Sequence, residues 1–230
     1  LLPRPETLIV VQLFCIAGSA LLFYGIAVKL TARVWIAVVL ALMVLLHPLV
    51  QDAALFDFHQ DAIGMFFLAL GLFGISHQRW GVAALGWSLS LLAKEEVSIY
   101  WMAIALFLLV VDERWRLGKL LFVILNALYL YIIVVFGMPY FQVAEHGGFT
   151  FFERYAFWGR SISEVFSTIT RKHIAVMQNL LLPNRVGGLG MMLLPVLLFV
   201  VRGHWSLLIL LVPLAINSLS DLVGQHNYRF

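Results

Sequence analysis

Charged side chains and cysteine are both scarce in this sequence. Of its 230 residues, 12% are charged and 63% are hydrophobic, whereas soluble domains carry about 25% charged and about 45–50% apolar residues. A water-soluble fold of this length cannot cover so much apolar surface. The single cysteine, Cys15, excludes an internal disulfide framework and a thiolate metal site. The composition therefore excludes a soluble enzyme and a disulfide-stabilised secreted domain.

A basic stripe is also absent, although the formal net charge is +3. The positive residues stand at the ends of apolar runs, as in membrane proteins, and not along one face of a domain. We therefore expect no nucleic-acid partner. The sequence contains no nucleotide-binding loop, no catalytic-serine elbow and no internal repeat.

What the sequence does contain is a series of long apolar runs. We expect each run to form one spanning or nearly spanning helix, because only helices and closed barrels satisfy their backbone in lipid and these runs lack the alternation of barrel strands. The predicted helices are Thr7–Val28, Val34–Leu46, Ala62–Ile75, Trp80–Ala93, Val97–Val111, Leu117–Tyr140, Leu189–Val201 and Trp205–Leu219. The prediction is an all-α polytopic integral membrane protein, with one transmembrane domain over residues 1–230 and the lipid bilayer as its first partner.

The loops between these runs sort by charge. One set is basic and contains Lys29, Arg33, Arg79, Arg114, Arg116, Lys119 and Arg202, with Asp112 and Glu113 as its acidic members. The alternate set contains Asp52, Asp57, Asp61, Glu95, Glu96, Glu145, Glu153, Glu164 and Asp221. Because basic loops remain in the cytoplasm, we expect a multi-pass protein of the inner (plasma) membrane with its acidic loops on the non-cytoplasmic side.

This topology places Leu1 outside, without an initiator Met or a signal peptide before it. We therefore expect at least one helix upstream of Leu1, and further sequence after Phe230. The one long loop, residues 141–188, contains Ile162, Val165, Phe166 and Ile169 at helical spacing. This pattern predicts an amphipathic helix on the outer membrane surface.

A first polar cluster lies in the segment from Phe56 to Asp61. In an extended loop, Asp57, His59 and Asp61 would point to one side and could hold one divalent ion or one substrate. In a helix, Asp57 and Asp61 would still share a face while His59 would turn away. A polar surface loop with aromatic anchors is the alternative without a site.

A second cluster, Lys94-Glu95-Glu96, lies between two apolar runs. The two helices that flank the cytoplasmic turn from His77 to Arg79 have only about 14 residues each. Helices of that length span about 21 Å, whereas the hydrocarbon core is about 30 Å thick. We therefore expect Asp61 and Lys94 to lie below the outer membrane boundary, where ionisable groups line a wet cavity or pair with each other. A structural Lys–Glu pair at a helix turn is the alternative.

A third cluster closes the chain, with His226, Tyr228 and Arg229 following Asp221. Arginine can donate two hydrogen bonds to a phosphate, and histidine can bind a ligand or carry a proton. We therefore take His226, Tyr228 and Arg229 as candidate substrate-binding residues, together with Lys94.

Several of these segments carry a resemblance. The chain resembles the bacterial family of predicted membrane proteins known as domain of unknown function 2079. The resemblance rests on Pro5-Glu6-Thr7-Leu8, His47-Pro48, Phe56-Asp57-Phe58-His59, Leu92-Ala93-Lys94-Glu95-Glu96, Leu181-Leu182-Pro183 and His226-Asn227-Tyr228. The family usually has Pro and Glu at the positions of Gln60 and Asp61, and Asp at the position of Glu96.

That family is similar to the GT-C membrane glycosyltransferases, which move a sugar from a polyprenyl-phosphate carrier to an acceptor on the outer face. The resemblance implies a GT-C-like helix arrangement and a lipid-linked sugar substrate. Lys94 and Arg229 would meet the phosphate, and Asp57, His59 and Asp61 would hold a divalent metal ion or orient the acceptor. Asp57, His59, Asp61, Glu95 and Glu96 are the candidate residues supporting catalysis, and the resemblance places the general base upstream of Leu1.

Two other functions remain open at this stage. A non-catalytic membrane subunit would pack against partner subunits of a larger complex. A transporter would use the buried charges as a relay, but it usually has an inverted repeat and matched broken helices, which this sequence lacks.

Overall fold

The computed structural model describes residues 5–55, 58–138, 140, 162–171, 174 and 178. Every regular element in these residues is helical, as the apolar runs predict. The elements are α1 (Pro5–Thr31), α2 (Val34–Leu46), α3 (Pro48–Leu55), α4 (Asp61–Ser76), α5 (Trp80–Ala93), α6 (Val97–Val111) and α7 (Arg116–Ile132), a π-helical segment (Ile133–Gly137), and α8 (Ile162–Arg171).

Six of these helices coincide with the first six predicted runs to within a few residues at most ends, whereas the last two predicted runs lie outside the described residues. Two helical segments, Glu6–Thr31 and Arg116–Gly137, are long and apolar enough to cross a membrane. Val34–Leu46, Asp61–Ser76, Trp80–Ala93 and Val97–Val111 are apolar but shorter. Of the roughly eight predicted spans, two are therefore helices long enough in the structure to cross a membrane.

Helix α3 was not predicted, because its sequence Pro48–Leu55 contains Gln51 and Asp52 and is not an apolar run. Pro48 favours a helix start there, because its fixed φ suits the first helical position and its missing N–H has no partner to lose. The chain forms two compact units, Leu1–Val97 and Ser98–Phe230.

In the first unit, α4 packs on α1 through aromatic rings over glycines. A Cβ added to Gly18 would lie 2.6 Å from the Phe66 ring, and one added to Gly25 would lie 2.8 Å from the Phe73 ring. Both pairs are separated by the same number of positions, so α1 and α4 run parallel. A side chain at either glycine would displace a ring, and this register therefore depends on glycine.

Helices α4 and α5 approach each other through their backbones. A Cβ on Gly86 would collide with the backbone of Gly71, and a Cβ on Gly74 would collide with the backbone of Ala83. As the residue number rises along α4, the number of the facing residue in α5 falls, so the two helices are antiparallel. Small residues at such contacts bring membrane helices into close packing, where dispersion and not the hydrophobic effect holds them together.

In the second unit, a lysine closes the turn between α6 and α7. Lys119 Nζ donates to the carbonyls of Leu108 at 3.0 Å and Asp112 at 2.6 Å, and lies 2.9 Å from Asp112 Oδ2. The last carbonyls of a helix lack partners within the helix. Lys119 therefore caps α6 from the first turns of α7.

The π-helical segment continues α7 and stands just before Pro139 in the sequence. The segment that was predicted to form an amphipathic helix is helical over Ile162–Arg171, which is α8.

Candidate functional site

The candidate site is an ion cluster at one end of the first unit. Lys94 Nζ lies 2.5 Å from Asp61 Oδ1 and 3.2 Å from Glu96 Oε2. Asp61 is the first residue of α4, and Lys94 and Glu96 belong to the turn after α5. Because α4 and α5 are antiparallel, the start of one meets the end of the other, and this brings the three charges together.

Lys94 and Glu96 are the enclosed members of the ion cluster. Its side chain is 18% exposed and that of Glu96 is 12% exposed, whereas the Asp61 side chain is 59% exposed. The carboxylates of Asp61 and Glu96 both lie within ion-pair distance of the Lys94 amine. Lys94 is therefore an ammonium held by two carboxylates.

The ion cluster lies well below the start of α1. The register set by Gly18 with Phe66 places Asp61 level with Leu13. Helix α1 begins at Pro5, so it continues for about 12 Å past this level at 1.5 Å per residue. If α1 crosses a bilayer, the cluster lies beneath the membrane boundary, as the short flanking runs predict.

The two ends of the first unit differ in charge. The end with Asp61, Glu95 and Glu96 also carries Asp52 of α3, and the opposite end carries Lys29, Arg33 and Arg79. This separation follows from the alternating direction of the helices, because every second connection lies at the same end of the unit. The structure thus brings together residues of two predicted loops, Asp52 to Asp61 and Lys94 to Glu96.

The sequence analysis missed Gln12, which bonds residues on both sides of the connection between α3 and α4. Gln12 is fully buried in α1. Its Nε2 donates to the Ala53 carbonyl at 2.5 Å, and its Oε1 accepts from the His59 backbone N–H at 2.5 Å. A lone glutamine between Val11 and Leu13 in an apolar run was the available signal, because an uncompensated buried amide is costly.

The remaining predicted residues have different outcomes. Asp57, His226, Tyr228 and Arg229 lie outside the described residues, and the predicted convergence of Asp57, His59 and Asp61 stays a prediction. Within the described part of the chain, no group of three or more His, Cys, Asp or Glu is placed to hold a metal ion. The carboxylate of Asp61 is instead engaged by Lys94, and the described residues do not by themselves form a metal site.

Every regular element of the described residues is helical, and two of these helices are long and apolar enough to span a membrane, as in an α-helical membrane protein. A family model described as predicted membrane protein (DUF2079) matches residues 1–227, and the chain belongs to this family. No curated protein and no solved structure matches the chain significantly. The resemblance noted from the sequence is therefore confirmed at the level of the family.

Proposed function

We propose that this chain is a GT-C-like membrane glycosyltransferase that acts on a lipid-linked sugar at the non-cytoplasmic face of the inner membrane. The observation that carries the proposal is the ion cluster of Lys94, Asp61 and Glu96 below the start of α1. Charges at such depth are costly and are retained where they meet a polar substrate or a wet cavity. The similarity of the family to GT-C enzymes adds the reaction type.

The charge of the cluster defines how a donor lipid would bind. Two carboxylates already engage the Lys94 ammonium, so we expect a phosphate to replace one of them. Asp61 is the carboxylate to be replaced, because its side chain is 59% exposed while that of Glu96 is 12% exposed. Lys94 then donates to a phosphate oxygen, while the polyprenyl tail stays in the bilayer.

The carboxylate released from Lys94 can then act as a proton acceptor. In the transfer, the acceptor hydroxyl gives its proton to a carboxylate and its oxygen bonds to the anomeric carbon. The bond from that carbon to the phosphate oxygen breaks, and the phosphate leaves with the electron pair. Among the residues that the structure describes, Asp61 is the candidate for this base. The resemblance implies a second candidate, a carboxylate upstream of Leu1.

A divalent metal ion is assigned no step, because the described residues do not form a metal site. Asp57, His59 and Asp61 stay the predicted ligands. His226, Tyr228 and Arg229 stay the predicted substrate-binding residues, with Arg229 as a second phosphate partner, and Glu95 stays a supporting candidate near the cluster.

The test is sugar transfer in membranes from a panel of polyprenyl-phosphate sugars. We expect Lys94→Met and Asp61→Asn to lower the rate by at least about 100-fold, the lower range for loss of acid–base catalysis. Lys119→Met is the matched control, because it also removes a Lys–Asp ion pair, but one in the α6–α7 turn. Full activity in both cluster variants would overturn the proposal.

A non-catalytic subunit is the other outcome of this test. In that case, purification in mild detergent would yield stoichiometric partner subunits, and no donor lipid would turn over.

A further inference from the structure

Gln12 differs from the other buried polar side chains of α1 in what it bonds. Ser19 is also fully buried, but its hydroxyl donates to the Cys15 carbonyl of its own helix at 2.7 Å. Both hydrogen bonds of the Gln12 amide instead reach residues more than 40 positions away, Ala53 and His59. The amide of Gln12 therefore bonds residues in another part of the chain and none in its own helix, as far as these two hydrogen bonds are concerned.

The two partners of Gln12 flank a single connection. Ala53 lies in the last turn of α3, and its carbonyl is among those that a helix leaves without a partner. His59 lies just before α4, which begins at Asp61. One side chain thus bonds both the end of α3 and the residue that lies two positions before α4.

The chemistry of this contact requires a neutral group that both donates and accepts a hydrogen bond. Gln12 must donate at Nε2 and accept at Oε1 at the same time, and an amide does both while neutral. An ionised carboxylate only accepts, and an aliphatic side chain does neither. A neutral group also avoids the cost of a buried charge.

We propose that Gln12 is a positioning residue that holds Ala53 of α3 and the backbone of His59, two positions before Asp61 of the ion cluster. The latch is the pair of bonds from Gln12 to Ala53 and His59. Its contribution to sugar transfer rests on the proposed function, whereas the latch itself can be measured without any substrate.

The latch is tested by hydrogen exchange of the full chain in lipid nanodiscs. We expect Gln12→Leu to raise exchange of the His59 amide by at least about tenfold, in line with the loss of one net hydrogen bond. Gln12→Glu should stay close to wild type, because an apolar site keeps the carboxyl protonated and able to donate and accept. Ser19→Ala should leave the His59 amide unchanged.

Two results would overturn the positioning role. One is a Gln12→Leu variant whose His59 amide exchanges like that of Ser19→Ala. The other is exchange that rises equally along α1 and α4, which would show a general loss of packing.

Transfer assays on the same variants separate the two proposals. If exchange at His59 rises in Gln12→Leu but wild-type membranes transfer no sugar, the latch stands and the proposed function fails. If wild-type membranes are active, we expect Gln12→Leu to lower kcat by at least about tenfold, with Gln12→Glu restoring it. Unchanged kcat in Gln12→Leu would overturn the contribution of the latch to transfer.

Discussion

Lys94 and Asp61 are 33 positions apart in the sequence, yet Nζ of Lys94 lies 2.5 Å from Oδ1 of Asp61. The contact joins the end of α5 to the start of α4 and encloses Lys94 between two carboxylates. Removing Asp61 leaves the largely enclosed Lys94 ammonium less well compensated.

We expect Asp61→Asn to destabilise the protein by about 1–2 kcal/mol, less than for a fully buried pair because Asp61 is half-exposed. The double variant Asp61→Asn/Lys94→Met should be more stable than the sum of the single changes predicts, because the interaction between Lys94 and Asp61 can be lost only once. Denaturant unfolding in mixed micelles measures all three. Additive effects would contradict a direct interaction.

Glycine packing between α4 and α5 provides a matched pair of substitutions. Gly86 faces the backbone of Gly71, whereas a Cβ on Gly81 of the same helix would meet nothing within 4 Å. We expect Gly86→Ala to destabilise by about 1–3 kcal/mol through overpacking. Gly81→Ala should be neutral or stabilise by up to about 1 kcal/mol, since alanine favours the helix. Equal effects at both positions would show that the contact is not close.

The α6–α7 turn has a predictable response to acid. The hydrogen bond from Lys119 and the backbone N–H of Arg114 hold the pKa of Asp112 below its ordinary value. A lowered folded-state pKa adds stability above the unfolded pKa of about 4 and loses it as pH falls through the folded value. We therefore expect the protection factor of the Arg114 amide to fall below about pH 4 in wild type. In Asp112→Asn it should be lower at neutral pH and nearly flat with pH.

Membrane orientation can be tested with two glutamines at opposite ends of α4. Gln60 and Gln78 are both exposed and neutral, so changing either to Cys leaves the charge distribution intact. In a Cys15→Ser background, we expect an impermeant maleimide to label Gln60→Cys in intact cells and Gln78→Cys only after permeabilisation. The reverse pattern would place the ion cluster on the cytoplasmic side and contradict the proposed function.

The sequence predicted the elements better than their contacts. Helices α1, α2 and α4 to α7 coincide with apolar runs, because lipid forces each run to satisfy its backbone internally. Helix α3 was missed, because it is short and Gln51 and Asp52 interrupt its apolar residues, so no long apolar run marks it. Its start at Pro48 was the available signal.

The residues of the candidate site were predicted from the sequence, whereas their geometry was decided by the fold. The short runs around Lys94 indicated that charges lie deep, and this follows from rise per residue alone. Which carboxylate meets Lys94 depends on the antiparallel register of α4 and α5, which the Gly71–Gly86 contact sets. No periodicity in one segment contains that information.

By itself, the sequence determined that this protein is helical and belongs in a membrane, because composition and run length decide how a backbone can be satisfied in lipid. Only the tertiary structure decided that Gln12 reaches Ala53 and His59, and that Asp61 and Glu96 share Lys94. The physical reason is that hydrogen bonds and ion pairs act over about 3 Å, so they depend on how distant helices pack and not on the order of residues along the chain.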